Sequence, residues 1–162
     1  MIRIFQYGDE RKIAEIFRGA VHEIARDVYS AEQCLAWSST EPDYDRWEKR
    51  CGLKRPFIYQ EDGEIAGFLE LDTDGHIDCA YINPKYQRRG IMSQLVRHAV
   101  SACHSMGLER VYAEASICAK PLFEKLGFNI IREKQVTING VALQNYDMEL
   151  VMDGLILLHQ YK

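Results

Sequence analysis

The stretch Tyr81-Ile82-Asn83-Pro84-Lys85-Tyr86-Gln87-Arg88-Arg89-Gly90-Ile91-Met92-Ser93 brings together residue types that can hold a phosphate. A strand-like segment ends at a proline, a short basic turn carries one glycine, and a helical pattern begins at once. Unpaired N–H groups at a helix start, with the positive end of its dipole, suit a pyrophosphate. Gly90 lets the backbone approach such a group closely, and Ser93 offers a hydroxyl. Taken alone, the segment also reads as an ordinary strand-to-helix connection whose arginines are solvated.

The strand leading into this turn carries candidate proton acceptors. Regular alternation places His76, Asp78, Ala80 and Ile82 on one face, and Ile77, Cys79 and Tyr81 on the other. Asp78, His76 and, on the preceding strand, Glu70 are side chains able to accept a proton. The alternative is that these groups pair with neighbours and only shape a cleft.

The elements that must position these residues follow from periodicity. Met1 to Tyr7 reads as a strand ending at Gly8-Asp9, with Asp9 as helix N-cap. Ile13, Ile16, Phe17, Ala20, Val21 and Ile24 then fall at helical spacing. Ser30 with Gln33 forms a capping-box pattern, and a third short helix covers Asp43 to Cys51. From Pro56 the period shortens: Phe57 to Tyr59, Ile65 to Leu71 and His76 to Ile82 make an antiparallel meander. A long helix follows, with Ile91, Leu95, Ala99, Ala102 and Met106 inward and Gly107 as its stop. Arg110 to Ser116 is a strand and Ala119 to Leu126 a short helix. Phe128–Ile138 and Val141–Met152 form a hairpin about Asn139-Gly140. The fold class is α/β (α+β): a mixed, mostly antiparallel central sheet with helices on both faces, in a single domain over 1–162. The tail Leu155 to Leu158 is left as a last strand or part of a dimer surface.

Composition narrows the function classes. A formal net charge of −4 argues against nucleic acid as partner, and Gln87-Arg88-Arg89 is too short for a basic stripe. The chain has no apolar run near the ~20 residues of a membrane helix, so no membrane partner is expected. Five cysteines without a CxxC read as reduced thiols of a cytoplasmic protein. No His or Cys spacing suggests a metal.

Two segments resemble landmarks of the GNAT acetyltransferases. Ile82-Asn83-Pro84 followed by Gln87-Arg88-Arg89-Gly90-Ile91-Met92 is similar to the family's acetyl-CoA-binding motif, Val/Ile-x-Pro then Gln/Arg-x-x-Gly-x-Gly/Ala. Ala119-Lys120-Pro121-Leu122-Phe123-Glu124-Lys125-Leu126-Gly127-Phe128 is similar to its Ala-x-x-Leu-Tyr-Glu-Lys-Leu-Gly-Phe. Tyr29 to Trp37 and the Glu-Ala-Ser segment look like a YafP-like bacterial subgroup.

That resemblance implies an N-acetyltransferase with acetyl-CoA as co-substrate, a primary amine of a small molecule or peptide as acceptor, and no metal. It implies direct attack in a ternary complex, with a base on the strand before the phosphate turn: Asp78 first, His76 as its partner or rival, and Glu70 third. A non-catalytic acyl-CoA-binding or regulatory module is the alternative, and a homodimer stays open. It implies cofactor contacts at Tyr81, Ile82, Gln87, Arg88, Arg89, Gly90, Met92, Ser93, Ser116 and Phe123. Three positions depart from the pattern. Met92 replaces the second Gly/Ala, Ser116 a frequent Asn, and Phe123 the Tyr that protonates the leaving thiolate. Tyr146, Tyr29 or solvent would then supply that proton. Cys118, at a helix start, is a minor candidate for an acyl-cysteine route. The acceptor is expected between Tyr29, Trp37 and Trp47 and the final hairpin near Tyr146, unless those aromatics are simply core; Asp27, Glu32, Glu41, Asp43 and Asp45 there would favour a cation or form a solvated helix face.

Overall fold

The computed structural model describes residues 1–152, so the tail at 155–158 lies outside the described residues. Seven strands form one sheet in the order β1-β2-β3-β4-β5-β7-β6. They are β1 (Ile2–Ile4), β2 (Phe57–Glu61), β3 (Glu64–Leu71), β4 (His76–Ile82), β5 (Arg110–Ser116), β6 (Asn129–Ile138) and β7 (Val141–Val151). All neighbours are antiparallel except β4 and β5. The turns fit their residues. Asp62 and Gly63 (φ 51° and 80°) and Asn139 and Gly140 (φ 48° and 78°) take the left-handed pairs of tight hairpins.

Helices cover both faces. On one side α4 (Ile91–Ser105) and α5 (Lys120–Lys125) pack over Leu69, Ile77, Val111, Ala113 and Met148. On the other, α1 (Glu10–Gly19), α2 (Ala31–Trp37) and α3 (Tyr44–Lys54) cover Ile58, Phe68 and Leu143. The expected first helix is interrupted: α1 gives way to a π-helical turn at Ala20–Ile24 and a 3₁₀ turn at Ala25–Asp27. Ser30 and Gln33 form the reciprocal cap. Asp9 departs from its expected role. Its carboxylate takes the Arg3 guanidinium (2.7 Å) and the Gln6 N–H (2.8 Å) and makes no cap bond to the helix. In α4, Val96, Val100 and Cys103 point inward, while Met106 is exposed and Ala102 half-buried.

Two features of β4 set up the site. The parallel ladder to β5 holds only His76 opposite Tyr112 and Ile77 opposite Ala113; beyond them the strands part. A bulge also interrupts the β3–β4 register, so that Glu70 faces Cys79 and Leu71 faces Ile77, leaving Asp78 as the extra residue. The simple alternation expected for this strand therefore fails at Asp78. Ile77, Ala80 and Ile82 all pack toward α4, while Cys79 and Tyr81 pack toward α1–α3.

Candidate active site

Where β4 and β5 part, a cleft of 410 Å³ opens. Ala80, Tyr81 and Ile82 form one wall, Ser116, Cys118, Ala119 and Leu122 the other, and Gln87 to Met92 the mouth. Ala20, Ile24 and Ala25, presented by the π-helical and 3₁₀ turns, face in from the helical side beside Trp37. Trp37 Nε1 donates to the Tyr81 hydroxyl at 3.2 Å, which ties α2 to the strand. Burial pushes the Tyr81 hydroxyl far above its usual range, so it stays a neutral phenol.

The mouth is built on backbone geometry. Arg88 (φ 63°) and Gly90 (φ 74°) are both left-handed, and Gly90 is the N-cap of α4. Such a curl makes successive N–H groups converge, an arrangement suited to a phosphate. A Cβ on Gly90 would meet no protein atom within 4 Å, so its glycine is required by conformation and not by internal packing. Asn83 shapes the approach, its side chain accepting from the Lys85 N–H at 3.1 Å.

Of the residues expected at the cofactor, Tyr81, Ile82, Gln87, Arg88, Gly90, Met92 and Ser116 line the cleft. Arg89 turns outward to Glu61 (3.3 Å) and over the Tyr86 ring. Ser93 sits half-buried in the first turn of α4, outside the cleft wall. Phe123 corrects the expectation: it is 3% exposed, packed edge-to-face on Phe128 in the α4-side core, and the cleft wall is made by its neighbour Leu122. A hydroxyl installed there would be buried. Phe123→Tyr is expected to lose about 1–3 kcal/mol of stability in urea denaturation, with no gain in turnover.

Tyr146 also lies away from the cleft wall. It stands opposite Ala115, its hydroxyl accepts from Gln144 Nε2 (2.8 Å), and Lys120 lies over its ring. Tyr29 is a structural tie, donating to Gln144 O (2.7 Å) and accepting from the Ile117 N–H (2.9 Å). Trp47 is buried between Phe17 and Phe68. Trp37 is thus the expected acceptor-side aromatic that reaches the cleft. Cys118 reaches it too, but burial raises its thiol above the usual range, and α5 starts only at Lys120.

The candidate bases lie where β4 and β5 are still paired, in a chain of alternating charge that the sequence did not reveal. Glu70, fully buried, takes a two-point contact from Arg50 (2.8 and 2.6 Å). Arg50 also reaches Asp78 (2.8 Å), which in turn meets Lys54 (2.8 Å). Lys54 holds Asp72 (2.7 Å), Asp72 approaches His76 Nδ1 (3.3 Å), and His76 Nε2 lies 2.5 Å from Glu114. The His76 ring stacks on Tyr112, with centroids 4.8 Å apart.

The two leading candidates are driven in opposite directions. Burial alone would raise the Asp78 carboxyl, but Lys54 and Arg50 outweigh it and hold it below the usual range. Burial alone would lower His76; Glu114, Asp78 and Asp72 outweigh it and raise the imidazole above 6.5. Asp78 is therefore held as the anion, and the protonated form of His76 is favoured beyond that of a free imidazole.

Comparison with known proteins agrees with this architecture. Residues 25–150 match the model of the acetyltransferase (GNAT) domain. YafP of Escherichia coli K12, described as an uncharacterized N-acetyltransferase, is 29% identical over 91% of this chain and 93% of its own length. A GCN5-related N-acetyltransferase structure from Rhodopseudomonas palustris is 28% identical, with a TM-score of 0.88 over 94% of this chain and 95% of that one. The YncA protein of Salmonella typhimurium, solved with acetyl-CoA, shares the fold at 18% identity, with a TM-score of 0.69 over 94% of each chain. The chain belongs to the GNAT acetyltransferase family, within which it is an acyltransferase similar to YafP.

Proposed function

We propose that the protein is a single-domain cytoplasmic enzyme that moves the acetyl group of acetyl-CoA directly onto a primary amine in a ternary complex. The observation that carries this reading is the parting of β4 from β5 into a cleft whose mouth is the left-handed turn at Arg88–Gly90. The pyrophosphate of the cofactor fits that turn and the N-terminus of α4. The pantetheine arm fits the open edge of β4 at Tyr81 and Ile82, its amides adding as a further strand would.

The incoming amine, with a pKa near that of Lys (about 10.4), is almost wholly protonated at pH 7 and must lose a proton. His76 stands at the paired end of β4 and does not line the cleft, so it takes that proton by relay through water along the parted strands, with Glu114 and Asp72 stabilising the imidazolium that forms. Asp78, held by two cations, keeps the strand's shape. Nitrogen attacks the thioester carbonyl, and collapse of the tetrahedral adduct breaks the C–S bond. The thiol of coenzyme A, comparable to Cys with a pKa near 8.5, leaves as thiolate and is protonated by solvent. With Phe123 in the core and Tyr146 away from the cleft wall, no side-chain acid is assigned. The acceptor, a small molecule or a peptide, meets the cleft from the side of Trp37.

The test is release of coenzyme A thiol from acetyl-CoA against a panel of amines. Tight cofactor binding without turnover on any amine would replace this reading by an acyl-CoA-binding module. Gly90→Val forces a β-branched residue into a left-handed conformation and pushes a side chain toward the cofactor. It is expected to weaken coenzyme A binding at least tenfold, about 1.4 kcal/mol. Calorimetry on a folded variant that bound normally would move the cofactor elsewhere.

A further inference from the structure

Along β4 the cleft has a direction. Its mouth is the turn from Gln87 to Met92, and the wall runs inward from there through Ile82, Tyr81 and Ala80 toward the last rung of the β4–β5 ladder, Ile77 opposite Ala113. A cofactor with its pyrophosphate in the turn therefore brings its thioester to the inner end. On the helical side the cleft is closed by Ala20, Ile24, Ala25 and Trp37. Two of these are alanines, so the indole of Trp37 is the bulk of that wall.

The indole is held in place from several directions. Its Nε1 donates to the Tyr81 hydroxyl (3.2 Å), and its ring stands edge-on to Tyr29 (centroids 5.5 Å apart) and to Tyr81 (6.3 Å). Tyr29 is fixed in turn by its bonds to Gln144 O and the Ile117 N–H. The helix that carries the indole, α2, is moored to the final hairpin: Gln33 Nε2 donates to Ala142 O (3.0 Å) and Asn139 Nδ2 to Ala36 O (2.9 Å). Behind the indole lies a further space of 240 Å³, which Trp37 lines together with Phe17, Ala36 and Trp47. Trp37 thus stands as a fixed wall between the 410 Å³ cleft and the room behind it.

We propose that Trp37 sets the length of the acyl chain that the enzyme accepts, admitting acetyl and refusing chains a few carbons longer. The proposal rests on the placement of coenzyme A in the cleft. Beyond the thioester β4 and β5 are paired again, so a longer chain has to grow toward the helical side, where it meets the indole. A close-packed wall does not yield to such a chain, and one methylene too many changes binding by about 10–200-fold. With the indole removed, the two spaces run together and the chain can extend into the second.

The test is calorimetry on the full chain with coenzyme A, acetyl-CoA, butanoyl-CoA and hexanoyl-CoA. No acceptor is present, so the acceptor's own approach from the side of Trp37 does not enter. The native chain is expected to bind hexanoyl-CoA at least tenfold more weakly than acetyl-CoA, and in Trp37→Ala that ratio should shrink at least tenfold. The ratio is the readout because a merely structural loss would weaken all four ligands alike. Should Trp37→Ala misfold, Trp37→Leu carries the same comparison. A native chain that binds hexanoyl-CoA as tightly as acetyl-CoA overturns the proposal, as does a folded variant that keeps the native ratio; in both cases the cofactor reading stands. A native chain that binds none of the four overturns the cofactor reading, and this proposal with it.

Discussion

His76→Gln is expected to lower kcat/KM by roughly 10²–10⁴ at neutral pH, the range for a lost general base, with coenzyme A affinity unchanged. Asp78→Asn should cost far less, because its carboxylate already belongs to Arg50 and Lys54. The pH profile separates a proton acceptor from a structural residue. In the native enzyme, activity should rise with pH through the His76 pKa, which lies above 6.5; in the variant that limb should vanish. Raising the pH further should partly rescue the variant, since an amine that is already neutral needs no base. Stability runs the other way. A histidine raised in the folded state contributes stability that is full below its unfolded pKa and is lost as pH rises through the folded one. The neutral imidazole that accepts the proton is therefore the form in which the ion pairs with Glu114 and Asp72 have been given up. A folded His76→Gln enzyme with native kcat/KM at pH 7 would return the role to Asp78, Glu70 or bulk water.

Arg50→Ala should be the most damaging single change to the fold. It leaves Glu70, which is 0% exposed, as a buried carboxylate without its cation, and removes one of the two cations on Asp78. Breaking a buried pair in this way costs about 3–5 kcal/mol. Urea denaturation should show the loss as a lower midpoint. Arg50→Met with Glu70→Leu should recover much of it, since no charge is then stranded in the core. An Arg50→Ala midpoint equal to that of the native chain would mean that water reaches Glu70 and that the pair contributes little.

What the sequence disclosed and what it withheld divide along sequence distance. The Ser30–Gln33 cap and the Asn139-Gly140 turn are decided by residues within a few positions of one another, and both are found. The order of strands is legible for a similar reason, since turn residues separate periodic segments. The alternating chain from Glu70 to Glu114 is not legible, because its members come from α3, β3, β4 and β5 and only packing brings them together. The bulge at Asp78 is likewise invisible to a rule of strict alternation. It is what brings Ile77 onto the same side as Ala80 and Ile82. Phe123 was misplaced because a motif marks the position of a residue and not the direction of its side chain. On this short helix Leu122 faces the cleft, and Phe123 faces Phe128.

The short ladder between β4 and β5 has a consequence for how the protein survives in a crowded solution. Exposed strand edges recruit other chains, and most sheets hide them at the periphery with charges, prolines or covering loops. Here two open edges lie in the interior of the sheet and face one another across the cleft, flanked by strands that are fully paired on their outer sides. α4 on one face, and the turns following α1 on the other, leave room for a slender ligand and none for a second β-sheet. The open backbone at the cleft is thereby shielded from self-association by its position within the sheet, in addition to the charged bulge at Asp78 and the carboxylate of Glu114.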